Sequence, residues 1–325
     1  MKSSQRSTSV PGKRSSWVLR LGVLVLVVGV AAFGFIYYQD QHVDAGPSLI
    51  GRQTAAAEAA VKKQPNSIAA RLALAASYRS VKRLDDAIVQ YDEVLKADKG
   101  NRFALLGRGD SLIAKGDLTA AAATYRKITT AGTKGEFAAA DPQLEEARYY
   151  LGSILVKQGK TKEAIKELQA ALRIQSSDSD ALYLLGVAQL KEGATLPAIG
   201  SLQQALRFVP TGWCEPYSQL TVAYKKLGSA SQATYAGAMA DFCHKKPVEA
   251  KRRLTTLLTG QMKVDAMLGL AQMAETENNN PEATSWFKKV LAVDRTNVTA
   301  MTGLSRLGVG PATRSMSSST TQGPS

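Results

Sequence analysis

The chain has 325 residues and carries 41 basic against 27 acidic side chains, a formal net charge of +14. Aromatics are 6% of residues and Pro only 11 in number, in a background rich in Ala, which favours helices because Ala costs least there and Pro most. No run of alternating Val, Ile and Thr reads as a sheet, and the basic excess is spread along the chain rather than gathered into one polyanion-binding block.

In chain order, residues 1–16 form a basic arm, with Lys2, Arg6, Lys13 and Arg14 and no acid. Residues 17–38, WVLRLGVLVLVVGVAAFGFIYY, read as a transmembrane helix. From Leu21 to Tyr38 no residue is charged, and as a helix that run spans about 27 Å, close to the hydrocarbon thickness of a bilayer. Trp17 and Tyr37-Tyr38 stand at its two ends, as interfacial aromatics do, and Arg20 lies near enough to the boundary to snorkel. The run is long for a cleaved secretory signal, and the small-residue site at Val30-Ala31-Ala32 lies inside it, so an uncleaved anchor is expected. Basic residues precede the span, while Gln39 to Gly51 hold no Lys or Arg. The positive-inside rule therefore puts the N-terminus in the cytoplasm and everything after the span outside, in a cell membrane taken to be bacterial.

Residues 39–65 read as a linker followed by a lone capping helix. From about residue 66 to 307 the chain repeats itself. A common Ala recurs at Ala87, Ala121, Ala164, Ala198, Ala233 and Ala283. Four residues on come Tyr91, Tyr125, Leu168, Leu202, Gly237 and Phe287, and three further Val94, Ile128, Ala171, Ala205, Ala240 and Val290. That spacing is one face of a helix. Twelve residues before each common Ala stands a small residue of an earlier helix: Ala75, Gly109, Gly152, Gly186, Thr221 and Ala271. Gly116, Gly159, Gly193 and Gly228 mark the turns between, since Gly adopts positive φ without a Cβ clash.

The intervals between the common Ala residues are 34, 43, 34, 35 and 50. A 34-residue pair of helices with Leu-Gly at 151–152 and 185–186, Tyr78, Tyr224, the second-helix aromatics and Pro210 resembles the tetratricopeptide repeat. The family Trp is replaced by Arg71, Leu105, Arg148, Leu182, Tyr217 and Met267, so the pattern is degenerate. The expected fold is all-α: a right-handed solenoid of about six such hairpins behind one transmembrane helix. The longer intervals are read as a Gly-rich loop beginning near Thr129 and as an added helix opening at Pro247, a residue suited to a first turn. Residues 298–307 read as an end cap and 308–325 as a disordered tail.

No HExxH, Walker or CxxC motif occurs, and two His, His42 and His244, are few for a metal site or a triad. An enzyme, a metal, a cofactor and a small-molecule substrate are therefore not expected. The Arg-Gly-Asp triplet at 108–110 falls inside a first helix, where it does not read as an exposed recognition loop. Cys214 opens the first helix of the fifth hairpin and Cys243 closes the second. Antiparallel neighbours bring these ends together, so a disulfide is expected, with two half-buried free thiols as the alternative.

In tetratricopeptide-repeat proteins the first helices line a concave surface that holds partner segments. Carried onto this chain, that resemblance implies a groove lined by Tyr149 and Tyr183 at the fifth position and Lys157, Lys191 and Lys226 at the thirteenth, with Lys225 adjacent. Tyr supplies apolar area with a hydroxyl and Lys a point charge, so an extended segment with acidic groups is the expected occupant. The leading functional expectation is an interaction scaffold that organises or assembles an envelope complex. A client-holding helper, similar to the anchored repeat proteins of cytochrome c maturation, is the second. A cytoplasmic solenoid binding nucleic acid is the third, and the flanking charges disfavour it.

Overall fold

A computed structural model describes residues 14–41, 48–132, 138–209 and 212–309. Helix α1 spans Arg14–Gln41 and α2 Leu49–Lys63. The first four hairpins follow: α3 (Ile68–Ser80) with α4 (Leu84–Ala97), α5 (Arg102–Lys115) with α6 (Leu118–Gly132), α7 (Pro142–Lys157) with α8 (Thr161–Ile174), and α9 (Ser179–Lys191) with α10 (Thr195–Phe208). Then come α11 (Cys214–Lys226) with α12 (Ala230–Cys243), the single helix α13 (Pro247–Thr256), α14 (Lys263–Thr276) with α15 (Asn280–Val293), and α16 (Val298–Arg306). The expected six hairpins, the capping helix before them, the added helix and the end cap are all present among the described residues.

The first helices of the first four hairpins begin where a short polar side chain accepts from the free backbone N–H groups of the first turn. Ser67 accepts from Ala70 N, Asn101 from Ala104 N, Asp141 from Gln143 and Leu144 N, and Asp178 from Asp180 and Ala181 N. Each hairpin turns on one left-handed residue. Gly116, Gly159, Gly193 and Gly228 do so at φ of 70° to 85°, as expected, while Lys82 and Asn278 take the same conformation at φ 61° and 59°.

Small residues set the distance between paired helices. A Cβ on Gly109 would meet the Tyr125 ring at 2.5 Å, one on Gly152 would meet Leu168 at 2.6 Å, and one on Gly186 would meet Leu202 at 2.7 Å. Each contact joins the small residue before the common Ala to the large residue after it, so the sequence register is the packing register. Gly107 against Tyr91 and Gly303 against Phe287 make the corresponding approach between one hairpin and the next helix. The buried side chains accordingly form a chain of local clusters along the stack rather than one central core.

Two boundaries differ from expectation. Helix α6 continues through Thr129 to Gly132, because Thr129 is buried and Gly132 lies under Leu144; residues 133–137 of the expected loop lie outside the described ones. Gly308 and Val309 belong to the fold, Val309 packing on the last cluster, and the rest of the expected tail lies outside the described residues. Pro210, His42 and the greater part of the basic arm lie outside them too. The Arg-Gly-Asp triplet is structural: Arg108 bonds Asp92 and Thr124, and Asp110 accepts from Arg79 and the Tyr125 hydroxyl.

In α1 the side chains described, Leu24 and residues 26–38, are all exposed. Among the described residues no helix is long and apolar enough to cross a membrane.

Candidate functional site: the inner wall of the first helices

Helices α3, α5, α7, α9 and α11 contact one another in series, so their side chains share one continuous wall. The wall does not extend regularly past α11. Helix α13 packs against α12, and α14 also contacts α12. The local cause is Gly237, which stands where other second helices carry a large side chain. Arg253 of α13 fills the vacated space and pairs with Asp241 at 3.0 Å. A left-handed residue, Lys245 at φ 60°, turns the chain from α12 into α13.

The expected groove residues all lie on this series of helices, but they differ in what surrounds them. Tyr149 is half-buried, edge-on to the Tyr150 ring at 5.1 Å. Tyr183 is half-buried beside the Trp213 ring at 5.3 Å. Lys157, Lys225 and Lys226 are exposed at the far ends of their helices. Lys191 is directed to the end of α7, its Nζ 3.5 Å from the Val156 carbonyl, where a cation also complements the helix dipole.

Sequence reasoning passed over the carboxylates. The second position of each first helix in the third to fifth hairpins holds Glu146, Asp180 and Glu215. The signal was present in the register, three residues before each fifth-position residue. Burial and then the charges of Asp180, Asp178, Tyr150 and Glu145 push the Tyr149 phenol up to about 12. Burial and then Glu215 push up Tyr183, and burial followed by Asp110 and Glu146 pushes up Tyr150. After burial, the charge of the second-position carboxylate of the next hairpin raises each fifth-position tyrosine. None of Glu145, Glu146, Asp180 and Glu215 forms an ion pair with another described residue. Glu145 is raised to about 7 by burial, by a hydrogen bond to Asp178 and by the charge of that neighbour.

At the edge of the wall, Cys214 and Cys243 form a disulfide with a Cα–Cα distance of 5.3 Å. Beside it lies an apolar pocket of about 460 Å³, with Tyr217, Met239, Phe242 and Pro247 in its lining. No cluster of His, Cys, Asp and Glu suited to a metal ion occurs among the described residues.

Residues 83–136 match a family model described as tetratricopeptide repeat, and residues 152–193 one described as TPR repeat. No curated protein matches the chain. Among solved structures, YrrB, described as a TPR protein with an unusual peptide-binding site, shares 22% identity over 61% of this chain and 97% of its own, with a TM-score of 0.52. The C-terminal part of a TPR repeat-containing protein from Cytophaga hutchinsonii shares 19% identity over 78% of this chain and 94% of its own, at 0.49, and MamA 23% over 60% and 95%, at 0.45. The first of these likenesses shows the fold. With the two repeat matches and the packing register above, the chain carries tetratricopeptide repeats.

Proposed function

We infer that the chain is a membrane-anchored scaffold, whose helical stack holds segments of partner proteins along the wall of α3, α5, α7, α9 and α11 and so organises an envelope complex. The observation that carries this reading is that wall: successive first helices in contact, with half-buried Tyr149 and Tyr183 in one row. Half-buried tyrosines offer apolar area and a hydroxyl at little cost in rotamer entropy. YrrB, of the same fold, is described as having an unusual peptide-binding site, which favours peptide binding as the kind of activity here.

Anchoring rests on the uncharged run Leu21–Tyr38 and on the charge asymmetry of its flanks. The Cys214–Cys243 disulfide agrees with an oxidising compartment outside the cytoplasm.

One experiment in intact cells tests both parts. A photo-crosslinking residue at Ser153 or Val187, on the wall, is compared with one at Gln169, exposed on α8. Membrane-impermeant thiol labelling of Cys214→Ser and Cys243→Ser single variants is run in parallel. The reading expects wall-specific crosslinks that vanish in Tyr149→Ala/Tyr183→Ala, and single variants that label without opening the cells. Equal crosslinking from both faces sinks the groove, and labelling only after lysis sinks the outside location.

A further inference from the structure

The charge of the partner follows from where each row of side chains lies along the first helices. This inference rests on the groove reading above. The rows run in register: carboxylates at Glu146, Asp180 and Glu215, then Tyr149 and Tyr183, then Lys157, Lys191 and Lys226. At 1.5 Å per residue the carboxylate row lies about 4.5 Å along the helix axis from the tyrosines, and the lysine row about 12 Å. Exposed charges are largely screened beyond about 8 Å at physiological ionic strength. A segment seated over the tyrosines therefore feels the carboxylates far more than the lysines.

The partners already made point the same way. Lys191 reaches the α7 carbonyl end, so part of the lysine row serves the helix termini. The carboxylates of the row have no ion-pair partner among the described residues. Behind them, Glu145 Oε1 is buried without a hydrogen-bond partner among the described residues. The tyrosine faces beside them suit a guanidinium, which stacks on aromatic rings as well as pairing with carboxylates.

Spacing adds a second requirement. Helices in contact lie about 8–10 Å apart, so carboxylates of successive hairpins are separated by about that much. A polyproline II segment advances about 3.1 Å per residue and returns to the same face every third residue, or about 9 Å.

We propose that the wall of α7, α9 and α11 binds an extended basic segment with Arg or Lys at every third residue, its side chains paired with Glu146, Asp180 and Glu215 over Tyr149 and Tyr183. The acidic occupant expected from the lysines is thereby replaced by a cationic one.

The test uses the full chain in mild detergent and three fluorescein-labelled peptides: Arg-Pro-Pro repeated three times, its Glu-Pro-Pro counterpart, and the Arg peptide with its three Arg residues made contiguous. Fluorescence anisotropy reads affinity. The triplet-spaced Arg peptide is expected to bind at least tenfold more tightly than either control. Glu146→Gln/Asp180→Asn/Glu215→Gln is expected to weaken it at least tenfold, and Lys157→Gln/Lys191→Gln/Lys226→Gln to leave it within twofold. A circular dichroism spectrum unchanged from wild type shows that the variants are folded. Tighter binding of the Glu peptide that is lost in Tyr149→Ala/Tyr183→Ala overturns the charge assignment and leaves the groove standing. Arg-peptide binding indifferent to both the tyrosine and the carboxamide variants overturns the groove and the assignment together. An equal affinity for spaced and contiguous Arg overturns the spacing.

Discussion

Asp110→Ala removes the acceptor that joins the first two hairpins. Asp110 Oδ1 accepts the Tyr125 hydroxyl at 2.7 Å, and Oδ2 accepts Arg79 Nη2 at 2.9 Å. Tyr125 is fully buried, and its phenol is pushed far above its ordinary value of 10 by burial and then by this hydrogen bond. A hydrogen bond to a charged acceptor is worth about 1.5–3 kcal/mol net, and its loss leaves a buried hydroxyl unpaired. The Arg79 pair adds less, about 0–1 kcal/mol, because Arg79 and Asp110 are 37% and 23% exposed. The expected cost is about 2–4 kcal/mol. Tyr125→Phe keeps the ring against Gly109 and removes only the hydroxyl, so a double-mutant cycle of the two changes isolates the bond, with an expected coupling of about 1.5 kcal/mol or more. Repeat stacks unfold by units, so urea unfolding followed by circular dichroism is paired with hydrogen exchange, where lost protection is expected to centre on α5 and α6. A coupling under about 0.5 kcal/mol, within the ordinary additivity error, refutes the assignment of this bond as a stabilising joint.

Replacing both Cys214 and Cys243 by Ser releases a cross-link between residues 29 apart in sequence, for which loop entropy gives about 3–4 kcal/mol; Trp213 fluorescence in urea, in a Trp17→Phe/Trp286→Phe background, reads the α11–α12 hairpin, and a loss under about 1 kcal/mol refutes it. Gly186→Ala places a methyl 2.7 Å from Leu202 Cγ and is expected to destabilise by about 1–3 kcal/mol, whereas Gly200→Ala, with open space around it in α10, is expected to stabilise by about 0.5–1 kcal/mol; thermal melts of opposite sign check the pair. Glu145 holds its proton up to about pH 7 in the fold against an ordinary value of 4.5. Between those values the unfolded chain binds fewer protons than the folded one, so this group's contribution falls as pH rises through the window. Glu145→Gln is expected to flatten the stability profile there and to raise stability at pH 8, and an unchanged profile in urea titrations refutes it.

Much of the fold was legible because repeats write the same packing rule six times. Ala75, Gly109, Gly152 and Gly186 read as close-approach residues from their spacing to Tyr91, Tyr125, Leu168 and Leu202, and the structure joins those rows. Pro247 announced α13, and the ends of α11 and α12 announced the disulfide. These are local matters, decided within one hairpin by helical period, capping and chain reversal. Where α13 goes is not announced by helical period: it depends on the gap at Gly237 and on Arg253 reaching Asp241 of the preceding helix. The same holds for the wall. The sequence by itself determined the repeat, its register and the uncharged run before it. Only tertiary packing decided which charges count, because pairing one hairpin with the next brings Tyr149 to Asp180 and Tyr183 to Glu215, and turns Lys191 toward a helix end. Electrostatic neighbours fall off with distance in space, and a list of positions carries no distances between hairpins.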